Sequence, residues 1–109
     1  EETLSKGERT RQAILESAGL RQFFDPARYL RAFNEIELAL ADGGTGRIDR
    51  LVECPDGWWV IDYKSAAHPE RDEALQTQLN SYRAAIERLH PGQAVRVAFL
   101  SGEGRVVAA

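Results

Sequence analysis

Apolar and polar residues alternate in the middle of the chain with the two-residue period of β-strands. Over 34–40, Ile36, Leu38 and Leu40 fall on one face and Glu35 and Glu37 on the other. After the loop Asp42-Gly43-Gly44-Thr45 come two β-rich runs, Gly46-Arg47-Ile48-Asp49-Arg50-Leu51-Val52 and Trp58-Trp59-Val60-Ile61-Asp62-Tyr63-Lys64-Ser65. Pro55-Asp56-Gly57 parts them, and Asp-Gly between two such runs is a hairpin signal. Val95, Val97 and Phe99 predict a fourth strand; beyond Gly102-Glu103-Gly104, 105–108 predicts a fifth at an edge. Between the hairpin and the fourth strand the period lengthens to that of a helix over 70–89. Its buried stripe is Leu75, Leu79, Tyr82, Ala85, Ile86 and Leu89, and His90-Pro91-Gly92 stops it. Upstream, 8–18 has helical spacing, with Ser5 and Glu8 as a capping box and Gly19 as the stop. A short helical turn over 20–24 follows, and Asp25-Pro26 predicts a second helix start, with Ala27, Tyr29, Leu30 and Phe33 as its apolar set. Three strands thus form a meander, and the long helix crosses back to bring the fourth into the same sheet. The fold class is α/β with a central mixed sheet flanked by helices.

Composition narrows this picture. A chain of 109 residues holds one domain, 1–109, with a single modest core. No apolar run is long enough to span a membrane and no signal peptide is visible, so no membrane partner is expected. Cys54 is the only cysteine, so there is no disulfide framework, and a cytoplasmic setting is expected. The sequence has no Met and opens on Glu1-Glu2, so it is read as a piece of a longer chain that serves a larger machine.

The chemistry gathers on the hairpin. Asp62 and Lys64 share a strand face, about 6–7 Å apart, and Asp49 on the neighbouring strand can approach Asp62 across it. Charge in a buried run is costly unless it is paired or binds a metal. Two acids and a lysine converging there point to a metal-dependent hydrolytic site. Taken singly, the aspartates also read as turn-proximal or edge-strand acids paired with Arg47 or Arg50, and Lys64 as a surface lysine beside them. Trp58 has the parity of Asp62; Trp59, Ile61 and Tyr63 point the other way and are expected to make core or helix contacts.

The ordered set Gly46-x-x-Asp49, Asp62-x-Lys64 and Gln78-x-x-x-Tyr82, within the strings GRIDRL, VIDYKS and QLNSY, resembles the RecB-type branch of the PD-(D/E)XK nucleases over 33–100. The resemblance implies a restriction-endonuclease-like fold and a Mg²⁺-dependent deoxyribonuclease, with Mn²⁺ as a possible substitute. It implies the exonuclease part of a helicase–nuclease in DNA repair or recombination, present here as its C-terminal fragment. DNA and a helicase domain or subunit are then its partners. By the same resemblance Asp49 and Asp62 are metal ligands, the Tyr63 carbonyl supplies a further one, and Glu35 is preferred to Glu37 as a direct or water-mediated ligand. Lys64 would orient the attacking water and stabilise transition-state charge. Gln78 and Tyr82, stacked four apart on the helix, would lie beside Lys64 or touch a DNA phosphate, although Tyr82 is equally a core aromatic.

The sequence also departs from that branch. Many members carry a metal-contacting histidine upstream, whereas His68 and His90 both lie downstream, in connectors. One cysteine rules out an iron–sulfur cluster held within these residues. The net charge is −3, and phosphate neutralisation normally drives DNA affinity, so the isolated domain should bind DNA weakly and rely on a parent or partner for delivery. Arg9, Arg11, Arg21, Arg28 and Arg31 could track a DNA backbone, but Glu8, Glu16 and Asp25 among them favour a solvated face. Two other readings remain: a nuclease fold that clamps DNA without cutting it, and a small interaction module.

Overall fold

Five strands hydrogen-bond into one sheet in chain order, β1 to β5. The computed structural model describes residues 21–102 and 106–108; the helix expected over 8–18 lies outside them. A one-turn helix, α1 (Arg21–Phe24), leads into β1 (Arg31–Ala39), β2 (Thr45–Cys54) and β3 (Gly57–Tyr63). A 3₁₀ turn (Pro69–Arg71) and the long helix α2 (Glu73–Leu89) follow, then β4 (Val95–Leu100) and β5 (Val106–Ala108). β1, β2 and β3 form the antiparallel meander, β4 joins β3 in parallel, and β5 closes antiparallel on β4. A parallel pair needs a crossover, and α2 supplies it. The sheet is therefore mixed, as the pattern predicts.

The two sheet faces are covered differently. Ile48, Leu51, Val60, Val97 and Phe99 meet Leu79, Tyr82 and Ile86 of α2 on one face. Full burial of such a side chain contributes roughly 1.5–3 kcal/mol, so this layer carries most of the apolar burial. On the other face Val52, Cys54, Ile61 and Leu100 pack with Phe23 of α1, and Tyr29 and Trp59 lie at the margin. The tight turn at 55–56 depends on Gly57, which has φ 137° and backs onto the Ala94 carbonyl.

Three sequence expectations change. Asp25-Pro26 starts no helix: Asp25 Oδ1 takes the Ala27 N–H at 3.0 Å and its carbonyl the Arg28 N–H at 2.8 Å, making a single turn. Leu30 N–H then donates to Glu53 O at 2.7 Å and commits the chain to β1, which leaves Leu30 and Phe33 exposed. The long helix starts at Glu73 instead of 70, because Asp72 caps it by accepting from Ala74 N–H and Leu75 N–H. Leu89 is 66% exposed. At the helix end His90 instead covers the sheet, its ring stacked on Trp58 with centroids 4.4 Å apart.

Candidate active site

β2 and β3 stay in register from the Cys54–Gly57 pair to the Arg50–Ile61 pair. One step further the same register would set Asp49 opposite Asp62, and there the paired rungs end. Tyr63 N–H donates to Asp49 Oδ2 at 2.8 Å, so a side-chain oxygen takes up an amide where the strands part. On its other side β3 remains tied to β4: Asp62 pairs with Phe99, and Lys64 N–H donates to Leu100 O at 2.9 Å. Asp62 and Lys64 are thus carried past the fork on an anchored strand.

Trp58 and Val60 pack in the α2 layer and Ile61 in the opposite one. Asp62 therefore shares the helix-covered face, which is why it is 4% exposed. The parity expected for Trp58 and Asp62 holds. For the other set, Ile61 and Trp59 make the expected core contacts, in the Phe23 layer, where Trp59 meets Phe23 edge-on at 5.0 Å; Tyr63 departs from it. Tyr63 is 42% exposed.

Lys64 Nζ stands 3.1 Å from Asp62 Oδ2, a distance for an ion pair. The contact is an ion pair only, and Oδ2 is buried without a hydrogen-bond partner. Burial, and then the Asp49 carboxylate beside it, push the Asp62 pKa up to about 7, with Lys64 opposing them only in part. An orphaned buried carboxylate oxygen next to a second carboxylate is a pair of hard donors, and its repulsion would be relieved by a divalent cation of the Mg²⁺ or Mn²⁺ type. The residues present fit such an ion.

The remaining expected residues are placed as follows. Tyr82 is buried in the α2 layer, and its ring lies so close to Gly46 that a Cβ there would overlap it. The glycine of Gly46-x-x-Asp49 and the tyrosine of Gln78-x-x-x-Tyr82 are therefore two sides of one contact. Gln78 is exposed on α2, one turn before Tyr82. Glu35 is exposed and lies on β1 opposite Asp49 by register. Among the described residues no group of three or more His, Cys, Asp or Glu side chains converges as a metal cluster, so the acids that meet are Asp49 and Asp62. His68 pairs with Glu70 and His90 stacks on Trp58, so both histidines are engaged in the connectors. Arg31 is held by Glu53 at 2.7 Å; Arg9 and Arg11, and the side chain of Arg21, lie outside the described residues.

The structural roles of two residues escaped the sequence reading. Arg50 is buried, its Nε donating to Phe23 O at 2.8 Å and its Nη1 to Asn34 Oδ1 at 2.9 Å, with its guanidinium 4.6 Å from the Phe24 ring centroid. It binds the α1 layer instead of pairing with the neighbouring aspartates. Its signal in the sequence is a charge at an inward position of a β-rich run, between Ile48 and Val52. Gly102 backs onto the Ser65 carbonyl with no room for a Cβ, and this packs the chain after β4 against the segment just past Lys64. No local signal marks that contact.

Beside Gly46 a groove of about 570 Å³ opens, lined by Glu37, Leu38, Thr45, Arg47 and Tyr82 among others. No curated protein matches the chain. The family model of the PD-(D/E)XK nuclease superfamily matches residues 3–107. With the mixed sheet and the convergence of Asp49, Asp62 and Lys64 at its fork, the chain belongs to the PD-(D/E)XK nuclease superfamily.

Proposed function

We propose that this chain is a metal-dependent deoxyribonuclease domain of the RecB type, serving as the exonuclease part of a helicase–nuclease in DNA repair or recombination. The observation that supports it best is the buried, unsaturated Asp62 carboxylate between Asp49 and Lys64. A protein gains nothing in stability from two adjacent acids in a covered site, one of them with a buried oxygen that no hydrogen bond satisfies. Such a cost is expected where charge is needed for chemistry.

Asp49 and Asp62 would hold Mg²⁺ or Mn²⁺, with the Tyr63 carbonyl as a further donor. The ion would supply Lewis-acid charge at the scissile phosphate and acidify a water. The chain's own residues do the rest. Asp49 is fixed by the Tyr63 N–H, so one of its oxygens is already oriented. Lys64 is held on the anchored strand, with its ammonium at the acids and its side chain 26% exposed. From there it can donate to the attacking water or to a nonbridging phosphate oxygen. As the water oxygen bonds to phosphorus and gives up a proton to solvent, the P–O bond to the leaving oxygen breaks and that oxygen takes up a proton from solvent water. Lys64 stabilises the added negative charge in between. The groove beside Gly46, which Tyr82 lines, would give room for the strand flanking the cut, and Gln78, exposed one turn before Tyr82, would reach a phosphate of that strand. The acidic balance of the chain fits delivery of DNA by a helicase domain or subunit.

The test is cleavage of a labelled DNA in Mg²⁺ or Mn²⁺ at low salt by wild type and Asp62→Asn, with Mn²⁺ binding followed by calorimetry. Loss of both cleavage and binding in the variant is expected. A wild type that binds no divalent ion and cuts no DNA leaves a DNA clamp or interaction module in its place.

A further inference from the structure

Strict alternation cannot carry either β1 or β2 from end to end. On β2, Arg50 bonds the Phe23 carbonyl, and Val52 and Cys54 pack in the Phe23 layer. Ile48, two residues before Arg50, should share that face. It packs instead with Leu51, Leu79 and Tyr82 on the α2 side. β1 behaves the same way: Ala32 packs in the Phe23 layer and Asn34 accepts from Arg50, yet Ile36 and Leu38 pack on the α2 side. The alternation therefore slips between residues 34 and 36 on one strand and between 48 and 50 on the other. Pairing is preserved across the slip, with Asn34 opposite Arg50 and Ile36 opposite Ile48. At its centre stand Glu35 and Asp49.

Glu35 has φ 53° and is the non-glycine found in the left-handed region among the described residues. That conformation is strained for a glutamate. Its exposed side chain makes no hydrogen bond or ion pair with the described residues, so no contact of the carboxylate accounts for the strain. The strain lies directly across from a site residue.

We infer that Glu35 is a positioning residue that acts through its backbone: its left-handed conformation absorbs the β1 half of the slip and so turns Asp49 out of the β2–β3 ladder to accept the Tyr63 N–H beside Asp62. A regular β1 would either break the register with β2 or turn Ile36 and Leu38 away from α2. A matched kink in β2 at Asp49 avoids both. The role of this device in ion binding rests on the function proposed above; its geometry, the Asp49–Tyr63 bond, does not.

The test uses four variants of the whole chain and two readouts. Glu35→Gly and Glu35→Asn tolerate the left-handed region and remove the carboxylate, whereas Glu35→Val and Glu35→Ala disfavour it. Exchange of the Tyr63 amide is measured by NMR without metal, and Mn²⁺ affinity by calorimetry. The Gly and Asn variants should match wild type in both readouts within about threefold, while Val, or Ala if Val does not fold, loses about tenfold in each. Unchanged Tyr63 protection in both Val and Ala overturns the inference. So does a loss of Mn²⁺ affinity in the Gly and Asn variants with Tyr63 still protected, which would make the carboxylate itself a ligand. If wild type binds no Mn²⁺, the proposed function falls, and the Tyr63 amide alone still decides the role of Glu35.

Discussion

The β2–β3 hairpin carries an acid–base pair near each end, and the two are built to opposite purposes. Near the turn, Arg31 Nε donates to Glu53 Oε1 at 2.7 Å. The bond to Arg31 holds the Glu53 carboxyl below its usual range, and Arg31 is raised in return. Arg31 reaches solvent while Glu53 is partly covered, and the hydrogen bond between them satisfies both charges. At the fork, Lys64 and Asp62 are within ion-pair distance in a covered setting, but the geometry leaves Asp62 Oδ2 without a hydrogen bond and its pKa raised. The difference lies in the third group: Asp49 adds a like charge at the fork, and no second acid burdens Glu53. The surface pair ties β1 to β2. The fork keeps its charges incompletely neutralised, which makes it receptive to a cation.

The sharpest way to break this contrast is through cleavage. Lys64→Ala should lower the rate about 10²- to 10³-fold while Mn²⁺ affinity is kept, because the lysine acts on the water and the transition state. Equal loss of ion binding would make Lys64 a structural partner of Asp62 only. The next effect is on stability and pH. Without metal, the folded protein binds a proton at Asp62 up to about pH 7, whereas the unfolded chain releases it near the ordinary value of 3.8. Between those values the native state holds more protons, so stability falls as pH rises through the window, and the full penalty is present above it. Asp62→Asn should therefore stabilise the metal-free protein on the order of 2–4 kcal/mol at pH 8 and little at pH 3, as read from urea denaturation at the two pH values. A stabilisation independent of pH would show that Asp62 is not held protonated.

A smaller effect concerns the wall of the fork. Gly46→Ala places a methyl into the Tyr82 ring and should destabilise by about 1–3 kcal/mol. Adding Tyr82→Leu should recover part of that loss in thermal unfolding, and a full cost in the double variant would mean that the clash is not with the ring. The smallest expected effect is at the turn end. Glu53→Gln should leave both cleavage and the unfolding midpoint at wild-type values, since exposed ion pairs contribute little. A drop in cleavage there would dissolve the distinction between the two ends of the hairpin.

Much of this was legible beforehand, and particular residues show why. Val95, Val97 and Phe99, the Trp58 to Asp62 parity and the stripe of Leu79, Tyr82 and Ile86 are local periodicities, and period alone assigns strand or helix. Asp49 and Asp62 could be matched because a two-residue turn fixes a hairpin's register. Asp25-Pro26 misled, since an Asx turn and a helix start use the same two residues; the Leu30–Glu53 bond, made with a strand distant in sequence, decided between them. Leu89 misled for a related reason, because the sheet surface its period pointed to is taken by His90.

The sequence by itself determined the α/β order of elements, the meander followed by a crossover, and the three residues Asp49, Asp62 and Lys64 that the strand period could bring together. Tertiary structure decided what no window of residues contains. It set the slip in alternation at Glu35 and Asp49, the approach of Tyr82 to Gly46, the turning of Arg50 into the α1 layer, and the burial of Asp62 beneath α2 without a hydrogen bond for Oδ2. The reason is physical. Periodicity records which face a residue takes while a strand stays regular, whereas the site lies where two strands stop being regular together, and only the packing of both sheet faces at once fixes that point.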